Sequence, residues 1–123
     1  MNALLTLGAL NGALAVMLGA FGAHGLKARV SPADLAIWET ASQYHFYHAL
    51  ALLLAGLLAR QFSAGAAITA GWVMFAGMVV FSGSLYLLVL SGQRWLGAIT
   101  PLGGVALIVG WLILAWALFR SVD

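Results

Sequence analysis

The chain has 123 residues, 64% of them hydrophobic and 7% charged, with a mean hydropathy of +1.07. A soluble domain carries about a quarter charged residues to keep its surface wetted, so this composition excludes an ordinary soluble fold and points to one domain inside a membrane. Five basic residues are spread along the chain without forming a patch, which argues against nucleic-acid binding, and the absence of cysteine excludes disulfides, cysteine-zinc sites and thiol chemistry.

Four apolar runs follow in order, within expected spans of about 4–26, 37–60, 65–90 and 100–120. Each approaches or exceeds the roughly 20 residues that cross a ~30 Å hydrocarbon core as a helix. Lipid offers no hydrogen bonds to a backbone, so helix is the state available to runs this long. The expected fold is all-α: an integral membrane four-helix bundle, one transmembrane domain over 1–123.

The first run has no Lys or Arg before it and is longer than a signal-peptide core, so it reads as a retained helix. The second helix carries its start signal in Ser31, Pro32 and Asp34: an N-cap, a proline at the first helical position and an acid near the positive end of the dipole. From Pro32 to Arg60 it would be about 43 Å long, so its first two turns are expected outside the hydrocarbon. Ser63 is a weaker cap candidate for the third helix, and Ser91-Gly92 ends it. Thr100-Pro101 repeats the cap-then-proline signal for the fourth. Lys27, Arg60, Arg94 and Arg120 each stand at or just past a helix C-terminus, where the dipole favours positive charge. They are read as helix finishers.

Small residues supply the packing rule. Gly8, Gly12, Ala15, Gly19 and Gly22 form one stripe along the first helix. Ala70, Gly77 and Ser84 are seven apart in the third helix, and Gly103, Gly110 and Ala117 in the fourth. Such Gly/Ala stripes let backbones approach where lipid provides no hydrophobic drive, and heptad spacing implies left-handed, near-parallel packing. Leucine at Gly8 or Gly12 is therefore expected to loosen the bundle; the same stripe is suited to pairing between copies.

Four spans put both termini on one side, here the A end. Lys27, Arg29 and Arg94 fall at the opposite B end, against Arg60, Arg120 and the terminal amine at the A end. That is nearly a tie, so the charge rule for orientation has little to act on. The polar side chains are less even. His24, Glu39, Gln43, Tyr44, His45, Tyr47, His48, Ser82, Ser84, Tyr86 and Thr100 all fall toward the B end, while Asn11 alone lies deep in the A half of the first helix. At 100° per residue, Asp34, Trp38, Ser42, His45 and His48 share one face of the second helix, within about 60° of one direction, and Glu39 points away from His48. Tyr44, Tyr47 and His45 are suited to an aromatic belt at the headgroups. His48 should lie about 12 Å inside the core, where an imidazole needs a partner. Ser82, Ser84 and Tyr86 are the expected ones. An ionisable side chain inside a membrane is otherwise a functional candidate.

Four stretches together resemble the domain-of-unknown-function 423 family, small bacterial inner-membrane proteins of the YgdD type that are similar to a small eukaryotic transmembrane protein. They are Gly19–Gly25 (GAFGAHG), Thr40–Leu52 (TASQYHFYHALAL), Phe81–Tyr86 (FSGSLY) and Gly97–Gly104 (GAITPLGG). The resemblance spans nearly the whole chain in order. It implies a multi-pass protein of the bacterial inner membrane with no assigned activity, cofactor or catalytic residue. It marks His24, Gln43, Tyr44, Tyr47, His48, Ser82, Ser84, Tyr86, Thr100 and Pro101 as motif positions, and it weights His24 and His48 above His45.

The function expected is a non-enzymatic accessory or a lipid- or partner-binding bundle, with a polar His/Tyr/Ser cluster near one face. No nucleophile–base pair, phosphate loop or paired carboxylates appear. Two alternatives stand beside it. One is a redox, metal- or haem-binding subunit using His24 and His48, although His-x-x-His alone is a weak metal signal. The other is a small transporter or channel, which needs an oligomer because four tight helices leave little room for a pore. The lipid bilayer is the expected partner, with a homo-oligomer or a larger membrane complex as further candidates.

Overall fold

A computed structural model describes residues 3–62 and 65–121; the cap expected at Ser63 lies outside them. Four long helices account for almost all of it: α1 (Ala3–Phe21), α2 (Pro32–Phe62), α3 (Gly65–Ser91) and α4 (Thr100–Ser121). A π turn, Gly22–Leu26, prolongs α1, and a 3-10 turn, Arg94–Ala98, leads into α4. Ser31 Oγ accepts the Asp34 N–H at 3.1 Å and opens α2. Gly92, at φ 76°, closes α3 and donates its N–H to the Leu88 carbonyl at 2.9 Å; only glycine takes that left-handed position without steric cost.

Among the described residues, three helical stretches are long and apolar enough to cross a membrane: Ala3–Leu26, Gly65–Ser91 and Arg94–Arg120. At 31 residues α2 is the longest helix, but its first half carries the histidines and Gln43. It packs between α1 and α3 and turns Trp38, His45, His48 and Leu52 inward. Outward-facing Leu10, Leu14, Leu54, Leu57, Val79, Leu87, Ile108 and Leu112 give every helix an apolar outer surface, as a bilayer requires.

The bundle is an open row. Extensive interfaces join α1 to α2, α2 to α3 and α3 to α4, while α1 and α3 meet only slightly. Glycines set the spacing. A Cβ on Gly8 would stand 2.9 Å from the Ala49 carbonyl oxygen, one on Gly22 2.5 Å from the Trp38 ring, and one on Gly77 2.9 Å from the Leu107 nitrogen. Gly103 abuts the backbone of Phe81, and Gly110 abuts Met74. Gly19 is in ordinary contact distance of Ser42, at 3.7 Å. Gly12 departs from the expectation: a Cβ there meets nothing within 4 Å. The first-helix stripe drifts off the α2 interface at that turn, so Gly12 is no internal packing position. Gly56 and Gly71, outside the stripes, are close-packed against Leu5 and Leu4.

Two apolar cores result. The larger, at the A end, gathers Leu4, Leu52, Ala55, Met74, Leu107 and Leu114. The smaller, at the B end, gathers Leu26, Trp38, Leu88 and Val89. Between them lies a polar layer.

Lys27 caps the π turn, and Arg60 and Arg120 sit in the last turns of α2 and α4. Arg94 does not finish α3. It reaches from the 3-10 turn to the first turn of α2 and forks onto both Asp34 oxygens at 2.8 Å. A planar guanidinium matches a carboxylate this way, and the pair ties the α3–α4 connection to α2.

Candidate functional site

The polar layer begins with His45, which is 5% exposed. Its Nδ1 lies 2.9 Å from the Tyr86 hydroxyl and its Nε2 2.9 Å from Asn11 Oδ1. Asn11 Nδ2 donates to the Leu7 carbonyl at 2.9 Å. A carbonyl only accepts, so the asparagine must present its amide nitrogen there and its oxygen to His45. The imidazole then carries its proton on Nε2 and accepts the tyrosine O–H at Nδ1. A single directed chain results: Tyr86 O–H to His45, His45 N–H to Asn11, Asn11 N–H to Leu7. It links α3, α2 and α1 where α1 and α3 do not close on each other.

His48, 4% exposed, holds the opposite tautomer. Its Nδ1 is 2.7 Å from the Tyr44 carbonyl and must donate. Its Nε2 is 3.1 Å from the Trp111 indole nitrogen, a group that only donates, and must accept. The expected partners Ser82, Ser84 and Tyr86 are not the ones it finds. Three residues along a helix is about 60° around it, so His45 turns toward the α1–α3 gap while His48 turns toward α4. Tyr44 stacks on His48 with centroids 6.2 Å apart and packs against Phe81 at 5.0 Å.

The serines serve the helix interfaces. Ser82 Oγ donates to the Ala41 carbonyl of α2 at 2.8 Å. Ser84 Oγ lies 2.6 Å from Thr100 Oγ1, joining α3 to the start of α4. The Thr100 hydroxyl also bonds the Leu96 carbonyl, at 3.3 Å, so it ties the preceding turn to α3. Trp38, 1% exposed, donates to the Leu18 carbonyl at 2.8 Å and packs on Tyr86 at 4.7 Å. Among the described residues no buried side-chain polar atom lacks a partner.

Of the motif positions, the structure brings His48, Tyr44, Ser82, Ser84, Tyr86 and Thr100 into or against this layer. His24 stands exposed on the π turn. Gln43 and Tyr47 face outward and line a separate shallow cleft with Ala15 and Val16. His45, suited by its sequence position to a headgroup belt and sharing a face with His48, joins the layer instead, and Asn11 and Trp111 complete it without having been expected there. Asn11 carried a signal, as a lone amide deep in an apolar helix; Trp111 carried none. Among the described residues no group of three His, Asp or Glu side chains is placed to hold a metal ion, and a metal on His48 would have to displace Trp111 or the Tyr44 carbonyl.

Beside the His45 chain, the gap between α1 and α3 forms a groove of about 200 Å³. Its walls are Leu14, Leu18, Met78 and Val79, and its polar lining is Asn11, His45, Ser82 and Tyr86. Among the described residues no charged side chain lines it.

Apolar outer faces around a satisfied polar layer define a small helical membrane protein. The chain belongs to the family described as protein of unknown function DUF423, which it matches over residues 18–104. It is 52% identical over 118 residues to the UPF0382 membrane protein YwdK of Bacillus subtilis, covering 95% of this chain and 96% of that one. It is 49% identical to a UPF0382 membrane protein of Staphylococcus aureus and 50% identical to one of Staphylococcus epidermidis, with 98% of each chain covered. No solved structure gives a significant match.

Proposed function

We propose that this is a non-enzymatic, four-span protein of the bacterial cytoplasmic membrane that binds a lipid chain in the groove between α1 and α3. The carrying observation is the groove itself: apolar walls at membrane depth, beside a hydrogen-bond chain that holds α1 and α3 apart. Helical spans fit the cytoplasmic membrane, since outer-membrane-type proteins are barrels. In this reading α2 crosses as well: His45 and His48 are turned inward and bonded, Leu50, Leu54 and Leu57 face outward in its second half, and the outward Glu39, Gln43 and Tyr47 lie toward the B end. Against catalysis stands the bonding of the polar groups to one another. Ser82 and Ser84 bond a backbone carbonyl and a threonine rather than a histidine, so neither is activated by a base.

Native mass spectrometry of protein purified in mild detergent tests the reading. Val79 is an exposed wall residue, so Val79→Trp fills the groove without entering the core. Wild type should retain a lipid that Val79→Trp loses; equal retention would sink the proposal.

A further inference from the structure

We infer that the groove selects a lipid with an uncharged hydroxyl head on a single chain, a long-chain alcohol, over a charged or ester-headed lipid. The inference rests on the lipid-binding reading and adds the chemistry of the head.

Depth comes first. Along α3, Tyr86 lies five residues from Ser91 and Met78 thirteen, or about 8 and 20 Å from the helix end. The groove therefore runs from below the B-end interface toward mid-membrane. A charged head drawn to that depth loses its hydration at a cost of several kcal/mol. Among the described residues no lysine or arginine lines the groove to offset that cost.

Hydrogen-bond stoichiometry comes second. Tyr86 gives its one hydroxyl hydrogen to His45 Nδ1, and Ser82 gives its own to the Ala41 carbonyl. Each keeps lone pairs and has no hydrogen left to donate. An ester or ketone oxygen, which only accepts, gains nothing from either. A hydroxyl donates its one hydrogen to the Tyr86 oxygen, since Ser82 is 2% exposed and closed between the helices, and its own oxygen can take the second amide hydrogen of Asn11. The site is built for a head that gives one hydrogen bond and receives one.

Width comes third. At about 200 Å³ the groove is smaller than the ~300 Å³ at which whole small-molecule pockets begin. It takes part of one chain, not the paired chains of a glycerolipid.

Three probes with the same hydrocarbon chain separate head from tail: oleyl alcohol, methyl oleate and oleyl phosphate. They are titrated into the purified full chain in dodecyl maltoside and the bound fraction is read by native mass spectrometry. Oleyl alcohol should bind at least about fivefold tighter than either of the others. Tyr86→Phe, which removes the acceptor oxygen, should cut the preference for the alcohol over the ester. Comparable affinity for all three heads in wild type, with loss of all three in Val79→Trp, would overturn the hydroxyl selection while leaving the lipid groove standing. Binding unaffected by Val79→Trp would overturn both.

Discussion

The two sides of α3 are held by opposite means. Toward α4 the contact is backbone on backbone: Gly77 faces the Leu107 nitrogen and the Gly103 carbonyl, while Gly103 faces Phe81. Toward α1 the helices barely meet, and the distance is bridged by Tyr86, His45 and Asn11. In lipid, association rests on close packing and on interhelical hydrogen bonds, because lipid tails are as apolar as leucine. This chain assigns one device to each side. The close-packed side leaves no space; the bonded side leaves a groove.

The largest expected effect falls on the close-packed side. Gly103→Ala places a methyl group against the Phe81 backbone, which cannot rotate away as a side chain can. Overpacking of this kind costs about 1–3 kcal/mol and should appear as a lowered melting temperature in detergent. Gly12→Leu, facing open space, should melt like wild type. Equal losses for the two variants would break the distinction between a seam and an unoccupied face.

A smaller effect is expected on the bonded side. Asn11→Leu leaves the His45 Nε2–H without an acceptor, and buried hydrogen bonds in membrane bundles are worth about 0.6 kcal/mol, up to about 1.7. The sharper measurement is a double-mutant cycle of Asn11→Leu with Tyr86→Phe. Both residues bond the same imidazole, so their effects should be non-additive. Strict additivity would mean that the chain does not act as one bridge.

The smallest effect belongs to the surface clamp beyond both regions. The Arg94 guanidinium, by its hydrogen bonds and its charge, holds the Asp34 carboxyl below its ordinary value. A carboxylate whose folded pKa is depressed stabilises the fold above the unfolded value of about 3.9. That contribution fades as pH falls through the lower, folded value. Acid melting curves of Asp34→Asn should lack this dependence, and salt should shrink the difference because the Arg94 side chain is 60% exposed. A wild-type acid limb identical to that of Asp34→Asn would remove the clamp from the account.

Much of the helical frame was legible because its signals are local. Ser31-Pro32 and Ser91-Gly92 act within one turn of themselves, and the apolar runs leave helix as the only way to satisfy a backbone in lipid. The shared face of Trp38, His45 and His48 follows from angular periodicity alone. The wiring of the polar layer was less legible, because a partner on another helix depends on rotation and register. His48 was expected on the α3 hydroxyls and is held instead by Tyr44 and Trp111. Asn11 looked like an exception to the polar end and is the anchor of the His45 chain. Arg94 looked like a helix finisher and is a clamp.

By itself, then, the sequence determined that this is an α-helical membrane protein, and it carried the local signals that open α2 and close α3. Those properties follow from composition, spacing and short-range capping. Only the tertiary structure decided which glycines touch a neighbour, which tautomer each histidine holds, and that α1 and α3 part to leave a groove. Each of these depends on the relative rotation of packed helices, where about 60° moves a side chain from one neighbour to the next.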